Sequence, residues 1–128
     1  VRSRGLGDVY KRQKDVRKFT DNTGGGADHV SYVTGTTDYL FLLAEFEYHG
    51  SRTYANSAEK NYQKQYDYYK AGNSKVHNRF ENPESAVYAW TRSAYAGNGD
   101  SFCLVDTGGT PTNGYADYSR ALAPGFAV

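Results

Sequence analysis

The sequence predicts an α+β domain in which a twisted, mostly antiparallel sheet carries one main helix and long loops. Short apolar runs separated by turns rich in Gly, Asn and Asp indicate several strands, and a single stretch has helical spacing. The length of 128 residues suits one domain with a single core. The 13 Tyr and 6 Phe residues supply large side chains that can pack while keeping a polar edge in water.

The main helix is predicted over residues 57–71. Asn56 followed three residues later by Glu59 is typical of a capping box, and Gly72 provides a C-terminal stop. Apolar and aromatic residues recur on one side of this helix: Ala58, Tyr62, Tyr66 and Tyr69. We expect that side to pack on the sheet, although a tyrosine platform for sugars stays an alternative.

A central strand is predicted over residues 39–48, which begin as a continuous apolar run and end in alternation before Gly50. Glu45 and Glu47 would share one face of that strand, and we expect this face to be solvated. An acid–base pair is disfavoured because no nucleophile or electrophile lies nearby in the sequence.

The remaining strands are expected to be short. They are predicted at residues 16–20, 30–33, 85–91, 101–106, 115–119 and 122–128. Turns are predicted at 97–100 and 107–110, and the glycine-rich stretch 21–28 is predicted as a loop because no phosphate-binding motif follows it.

The first 13 residues are predicted to be a non-native segment, leaving residues 14–128 as the single domain. Residues 6–13 resemble translated sequencing-adaptor read-through at the ends of metagenomic gene models. The segment holds four basic residues and one acid, so its removal changes the net charge from +1 to −2. The basic arm therefore does not predict a nucleic-acid partner. No apolar run approaches the length of a membrane-spanning helix, so membrane insertion is not expected either.

Neither a metal site nor a cofactor is predicted. Cys103 is the only cysteine, which excludes an intrachain disulfide and a four-cysteine zinc site, and we expect it to be a small buried apolar residue. The three histidines, His29, His49 and His77, lack metal-ligand spacing. Calcium binding by the Asp and Asn residues of the C-terminal part stays an open alternative.

The composition of residues 94–120 indicates a binding surface. Of these 27 residues, 18 are Tyr, Ser, Gly, Asn, Thr or Asp, the residues with which antibody loops make adaptable contacts. Lys, Glu, Gln, Met and Trp are absent from the segment, whereas their frequency over residues 14–93 predicts four or five. Randomising the first two bases of an Asn codon produces the residues found and none of the five that are missing. A polar, glycine-rich loop set of no special function is the alternative.

Several spaced motifs carry a resemblance to a known family. They are residues 38–47, 68–75 and 90–93, the Phe102-Cys103-x-Val105 motif, and residues 123–126. Over about residues 16–128 the chain resembles the C-terminal C-type-lectin-like domains of phage tail and surface proteins from gut metagenomes, which diversity-generating retroelements diversify. The resemblance implies a C-type-lectin fold of the formylglycine-generating-enzyme-like subtype. Ala94 departs from the family pattern, in which proline commonly follows the Arg-Ser pair.

The resemblance implies a set of ligand-contact positions in the C-terminal part. They are Tyr95, Asn98, Asp100, Leu104, Asp106, Thr107, Thr110, Thr112, Asn113, Tyr115, Asp117 and Tyr118. It also implies a scaffold formed by Phe102, Cys103, Val105, Gly109 and Ala116. Structural roles are expected for Trp90, whose buried indole would need a partner for its N–H, and for Arg92, whose planar guanidinium can bridge loop carbonyls. If Cys103 and Val105 face the core, strand alternation predicts that Leu104 faces outward among the tyrosines.

The predicted function is therefore non-enzymatic ligand binding. The expected domain is the receptor-recognition tip of a phage tail protein, located on the virion and binding a bacterial surface protein or glycan. The alternatives are a bacterial surface-displayed binding module and a degenerate sulfatase-modifying-factor relative, although the enzymes of that group use a cysteine pair and this chain has only Cys103. A homotrimer formed through an N-terminal region is a further alternative.

Overall fold

The computed structural model of the protein describes residues 13–17, 28–37 and 40–125. The predicted non-native segment, the loop 21–28 and the final three residues therefore lie largely outside the described residues, and Gln13 is the first residue of strand β1. None of the described helices is long and apolar enough to cross a membrane.

The described structure is mixed α+β and sheet-rich, with few helices, as the sequence predicts. The strands are β1 (Gln13–Arg17), β2 (Val33–Thr37), β3 (Phe41–Leu42), β4 (His77–Asn78), β5 (Ala86–Val87), β6 (Ala89–Ala94), β7 (Ser101–Val105), β8 (Pro111–Tyr115) and β9 (Pro124–Gly125). Two short α-helices are present, α1 (Glu45–His49) and α2 (Asp67–Lys70), and two 3-10 helices, Val30–Tyr32 and Ser57–Asn61.

The strands form small antiparallel sheets instead of one continuous sheet. Within the described residues, β1 pairs with β2, β3 with β9 and β4 with β5, and β6-β7-β8 form the largest sheet. The turns predicted at 97–100 and 107–110 are confirmed, because they connect β6 to β7 and β7 to β8. The return strand of the second hairpin begins at Pro111, which pairs with Val105, so the strand predicted at 115–119 is wrong and those residues mainly form a turn.

The predicted helix over 57–71 is wrong in its length, although its start is confirmed. The side chain of Asn56 accepts a hydrogen bond from the Ala58 N–H at 2.9 Å, but the 3-10 helix ends at Asn61. The chain then leaves the helical conformation up to Tyr66, because the N–H of Tyr66 and the side-chain amide of Gln65 donate, each at 3.0 Å, to carbonyls of helix α1. Those carbonyls would otherwise lack partners at the end of α1, so tertiary hydrogen bonding overrides local periodicity.

The tyrosines of this segment do not form one buried stripe. Tyr62 is 57% exposed, which contradicts the predicted packing of the tyrosine stripe on the sheet. Tyr69 is half-buried and packs on Tyr48, with 5.0 Å between ring centroids. The hydroxyl of Tyr48 is hydrogen-bonded to Nε2 of His77 at 3.1 Å, and burial lowers the pKa of that histidine.

The predicted central strand over 39–48 is also wrong, because only Phe41–Leu42 is a strand and Glu45–His49 is a helix. Gly50 ends this helix with a φ of 70°, the left-handed conformation that favours glycine, and its N–H donates to Phe46 O at 2.8 Å. Glu45 and Glu47 occupy the first turn of a helix, where backbone N–H groups favour negative charge.

Both glutamates are buried, which contradicts the predicted solvated face. Glu45 accepts hydrogen bonds from the backbone N–H groups of Thr53, Tyr54 and Ala55 at 2.7 to 3.1 Å and so fixes that loop. Glu47 forms a buried ion pair with Arg92, in which Nη2 lies 3.0 Å from Oε2. These two carboxylates are structural groups that join α1 to the rest of the domain.

The core combines small apolar residues with buried polar ones. Its apolar part includes Ala44, Tyr48, Ala55, Ala89, Ala94, Cys103, Leu104 and Val105. The burial predicted for Cys103 is confirmed. Arg92 also donates to Leu42 O at 2.9 Å, so its predicted structural role is confirmed, and its carboxylate partner was not foreseen.

Candidate functional site

The predicted contact positions lie along the β7–β8 hairpin and its flanking turns. In the hairpin register Cys103 pairs with Asn113 and Leu104 with Thr112, and the two strands run antiparallel. A five-residue strand spans about 14 Å, so positions at the two ends of the hairpin cannot form one compact patch. The structure therefore places nine of the twelve predicted positions in two groups at opposite ends of the hairpin, and the other three, Leu104, Thr112 and Asn113, lie on the strands between them.

The first group lies at the end of the sheet that holds the β6–β7 turn. Tyr115, the last residue of β8, pairs with Ser101, and the N–H of Ala116 donates to Asp100 O at 2.9 Å. The structure thus brings five predicted positions to this end: Tyr95, Asn98, Asp100, Tyr115 and Tyr118. Asp117 is exposed in the following turn.

Two tyrosines form the exposed surface of this group. Tyr115 is 51% and Tyr118 50% exposed, and their rings meet edge to face with 5.8 Å between centroids. We call this pair the tyrosine pair. Each ring is held by the other while about half of each residue stays exposed to solvent, which is the arrangement of a rigid aromatic contact.

Tyr95 is less available than its predicted role requires. Its ring packs edge to face on Tyr54, with 5.6 Å between centroids, and it lies over Gly97, where a Cβ atom would collide with it. Tyr95 is half-buried and stabilises the β6–β7 turn, leaving one part of its ring to contact a ligand.

The second group, Asp106, Thr107 and Thr110, lies at the opposite end of the hairpin. One carboxylate oxygen of Asp106 accepts the N–H groups of Gly108 and Thr110, each at 2.9 Å. The hydrogen bond from the Thr110 hydroxyl is the main reason that the pKa of Asp106 is lowered. Asp106 and Thr110 therefore stabilise the turn, and Thr107 is the exposed member of this group without such a role.

The predicted outward orientation of Leu104 is wrong, because this side chain is only 2% exposed. Alternation does place Leu104 and Cys103 on opposite faces of the sheet, but both faces are covered. Leu104 shares its face with Trp90, its partner on β6, and with Phe102, which meets the Trp90 ring edge to face at 6.3 Å. On the other side Gly114 leaves room for it, since a Cβ there would lie 2.9 Å from Leu104 Cδ1.

The predicted scaffold residues are mostly placed as expected. Val105 is buried like Cys103, Phe102 is half-buried against Trp90, and Gly109 has a φ of 82° in the turn that Asp106 holds. Ala116 is the exception, since its side chain is exposed and only its backbone N–H supports the hairpin. Thr112 and Asn113 are half-buried on opposite faces of β8.

An aromatic–arginine stack lies beside the tyrosine pair and was not predicted from the sequence. The guanidinium of Arg120 lies 4.8 Å from the ring centroid of Tyr88 and 5.2 Å from that of Tyr118. Tyr88 lies outside the segment whose composition indicated binding, and no local pattern links it to Arg120. The link comes from a backbone hydrogen bond, in which the Ala121 N–H donates to Tyr88 O at 2.9 Å.

Glu59 is a buried carboxyl group that was predicted only as part of a helix cap. It is fully buried, and among the described residues neither of its oxygens makes a hydrogen bond of good geometry, although Ser93 and Gln63 lie close to it. Burial raises the pKa of Glu59 from 4.5 to about 7, with a smaller opposing effect from Ser93 and Arg92. The protein therefore binds a proton at Glu59 more tightly when folded than when unfolded.

We expect the Glu59→Gln variant to be more stable than the parent at pH 8. A carboxyl whose pKa is raised by folding favours the folded state below its unfolded pKa, and this contribution is lost as the pH rises through the folded value. Between pH 4.5 and 7 the free energy of unfolding of the parent therefore falls by about 3 kcal/mol through this group. The advantage of Glu59→Gln should therefore shrink as the pH is lowered towards 5, which urea unfolding at both pH values measures.

Glu84→Gln is the control, because Glu84 is exposed and its replacement should leave this pH dependence unchanged. Burial lowers the pKa of His49 to about 4, which makes the parent less stable as the pH falls below 6.5. That effect is common to both proteins and cancels in their difference. A stability difference that does not vary with pH would contradict the assignment to Glu59.

Within the described ranges, no three side chains of His, Cys, Asp or Glu are grouped so that they could hold a metal ion.

The chain matches the model of a protein family over residues 10–128, a family described as "Domain of unknown function (DUF6273)", and it belongs to that family. A search of curated proteins and a search of solved structures each give no significant match.

Proposed function

We propose that this member of the DUF6273 family is a non-enzymatic ligand-binding domain whose C-terminal segment forms a variable recognition surface. Its place would be the tip of a phage tail protein, where it recognises a protein or glycan on a bacterial surface. The contact surface is centred on the tyrosine pair and includes Asn98, Asp100 and Asp117.

The exposed tyrosine pair is the observation that carries this proposal. Tyr and Asn or Asp side chains form contacts at low cost in conformational entropy, because an aromatic ring has few rotamers to lose. The backbone beneath them is held by the β7–β8 register and by the hydrogen bond between Ala116 N–H and Asp100 O. Side chains at these positions can vary while buried residues such as Cys103 and Val105 keep the hairpin in place.

The fold that we propose is the C-type-lectin fold. This assignment is supported by the antiparallel hairpins and the short helices. It is also supported by the pairing of β3 with β9, which joins an early strand of the chain to the last one described. In such an arrangement long loops are anchored at both ends, which suits them to carry variable side chains on a fixed body.

The proposal is tested by binding of the purified, fluorescently labelled full chain to a panel of gut bacteria. We expect the double variant Tyr115→Ala/Tyr118→Ala to bind its target cells at least about tenfold more weakly, since central aromatic residues dominate interface energies. Its melting temperature should stay close to that of the parent because both side chains are half-exposed.

The matched control is Tyr62→Ala/Tyr68→Ala, which removes two tyrosines that are 57% and 62% exposed outside the proposed surface. This control should bind the same cells as the parent does. Equal binding by both double variants and the parent, or equal loss in both, would show that the tyrosine pair is not the recognition surface.

A further inference from the structure

A cleft of about 620 Å³ lies between the β4–β5 hairpin and the segment that follows Tyr118. Its first wall is the hairpin, in which His77 pairs with Val87 and Asn78 with Ala86. Its second wall is fixed at Ala121, whose N–H donates to Tyr88 O at 2.9 Å and whose carbonyl accepts from Trp90 N–H at 3.0 Å. Both walls are therefore anchored, and the volume falls in the range of small-ligand sites.

Apolar side chains are exposed around this cleft. Phe80 is 98% exposed, and Leu122 and Tyr88 are also exposed. Single exposed apolar residues are ordinary on protein surfaces, but three of them lining one cleft are typical of a binding site. The flat faces of Phe80 and Tyr88 carry the partial negative charge of aromatic rings, which attracts polarised C–H groups of a ligand.

The cleft also carries a net positive charge. Arg79 and Arg120 line it, together with a single carboxylate, Glu81. Within the described part of the chain neither arginine makes an ion pair. The guanidinium of Arg120 lies against the rings of Tyr88 and Tyr118, and its Nη1 donates to Ser119 O at 3.4 Å. Among the described residues its Nε and Nη2 have no hydrogen-bond acceptor, so that edge of this exposed residue can take a ligand. An oriented guanidinium edge is suited to bind a carboxylate through two parallel hydrogen bonds.

We propose that this cleft is a second binding site and that it takes an acidic sugar. The carboxylate would lie on the Nε–Nη2 edge of Arg120, and the C–H face of the pyranose ring would pack on Phe80, because the guanidinium of Arg120 already lies over the ring of Tyr88. Asn78, Ser119 and Thr107 supply amide and hydroxyl groups for the sugar hydroxyls. This inference goes beyond the proposed function, since Thr107 is the only predicted contact position among the cleft residues.

A sugar fits the cleft better than an extended acidic peptide does. A peptide would be bound most strongly by main-chain hydrogen bonds to an unpaired strand edge. In the second wall the backbone N–H and carbonyl groups of Ala121 are already hydrogen-bonded to Tyr88 and Trp90. Ring stacking, scattered hydroxyl donors and one oriented guanidinium match a carbohydrate acid instead.

Titration of the full chain with two acidic sugars, trigalacturonic acid and 3′-sialyllactose, tests the inference by calorimetry. We expect at least one of them to bind, and its uncharged counterpart, the methyl ester of the same sugar, to bind about tenfold more weakly. Arg120→Gln and Phe80→Ala should each weaken binding of the acidic sugar at least about fivefold. Both replaced side chains are exposed, so the melting temperature should not change.

Lys64→Gln is the control for loss of charge, because Lys64 is exposed and does not line the cleft. It should bind the acidic sugar as the parent does. The Asn98→Ala variant changes the first recognition surface at the β6–β7 turn and replaces a residue that does not line the cleft. It should also keep this binding, so failure of one site is distinguishable from failure of the other.

Absence of binding by both acidic sugars at ~5 mM would overturn the inference. Equal binding of an acidic sugar and its uncharged counterpart would remove the role of the arginine. Binding of hexaglutamate in place of the sugars would show that the cleft is an acidic-peptide site.

Discussion

Replacing Arg92 with leucine is expected to lower the free energy of unfolding by about 3–5 kcal/mol. The guanidinium is nearly fully buried and is the charge partner of Glu47, whose carboxylate is also buried. Arg92→Leu leaves that carboxylate without a counter-charge in a medium where it cannot be hydrated. The variant also loses the hydrogen bond to Leu42 O, which ties β6 to β3.

The double variant Glu47→Leu/Arg92→Leu separates the ion pair from its surroundings. Since removal of both charges leaves no unpaired one, we expect it to be less destabilised than the sum of the single variants, with a coupling of about 2 kcal/mol. Urea unfolding of the four proteins at one pH gives the coupling. Additive effects would mean that the two side chains stabilise the fold independently.

The exposed pair Arg52–Asp28 provides the matched control. Its charged atoms lie 3.4 Å apart, with both side chains about two-fifths exposed. Arg52→Leu should cost less than about 1 kcal/mol, because a solvated carboxylate does not need its partner. The comparison tests burial, and not the mere presence of an ion pair, as the cause of the large effect at Arg92.

The sequence correctly predicted two turns, one helix cap and the burial of Cys103, because each depends mainly on the residue types within a short segment. The turns at 97–100 and 107–110 follow from Gly, Asn and Asp, which tolerate the required backbone conformations, and Asn56 caps a helix because its side chain reaches an N–H two residues on. Cys103 is buried as its type predicts. These features do not depend on partners that are distant in the sequence.

The helix predicted over 57–71 could not have been corrected from the sequence. Its periodic tyrosines satisfy helical spacing, but carbonyls at the end of α1 accept hydrogen bonds from Gln65 and Tyr66 and interrupt the helix between Asn61 and Asp67. The same holds for Glu45 and Glu47, which were expected in solvent. Their burial depends on partners distant in sequence, the loop at 53–55 and Arg92.

The sequence predicted which residues contact a ligand, but it did not predict how far apart these residues lie in space. The hairpin register places Tyr115 beside the β6–β7 turn, whereas Asp106 and Thr110 lie at the far end and hold a turn. Spacing along the strand predicts which sheet face a side chain occupies. It does not predict whether that face is covered by other residues. Leu104 was therefore predicted to be exposed, whereas it is buried.

Replacing Leu104 with alanine is expected to cost about 2–5 kcal/mol, as truncation of a buried leucine does. The side chain lies between Trp90 and Gly114 on a covered face of the sheet. Leu40→Ala is the control, because Leu40 is exposed and its truncation should change the unfolding free energy by less than about 0.5 kcal/mol. Thermal and urea unfolding of both variants measure the difference.

A second substitution tests the contact itself. Gly114→Ala places a Cβ 2.9 Å from Leu104 Cδ1, so it should destabilise the parent by overpacking, about 1–3 kcal/mol. In the Leu104→Ala background the same methyl group fills part of the vacated space, and its cost should largely disappear. If Leu104→Ala were neutral and Gly114→Ala equally costly in both backgrounds, Leu104 would be exposed and this sheet face would be available for ligand contact. The expected coupling instead assigns Leu104 to the core and leaves recognition to the turns and to the tyrosine pair.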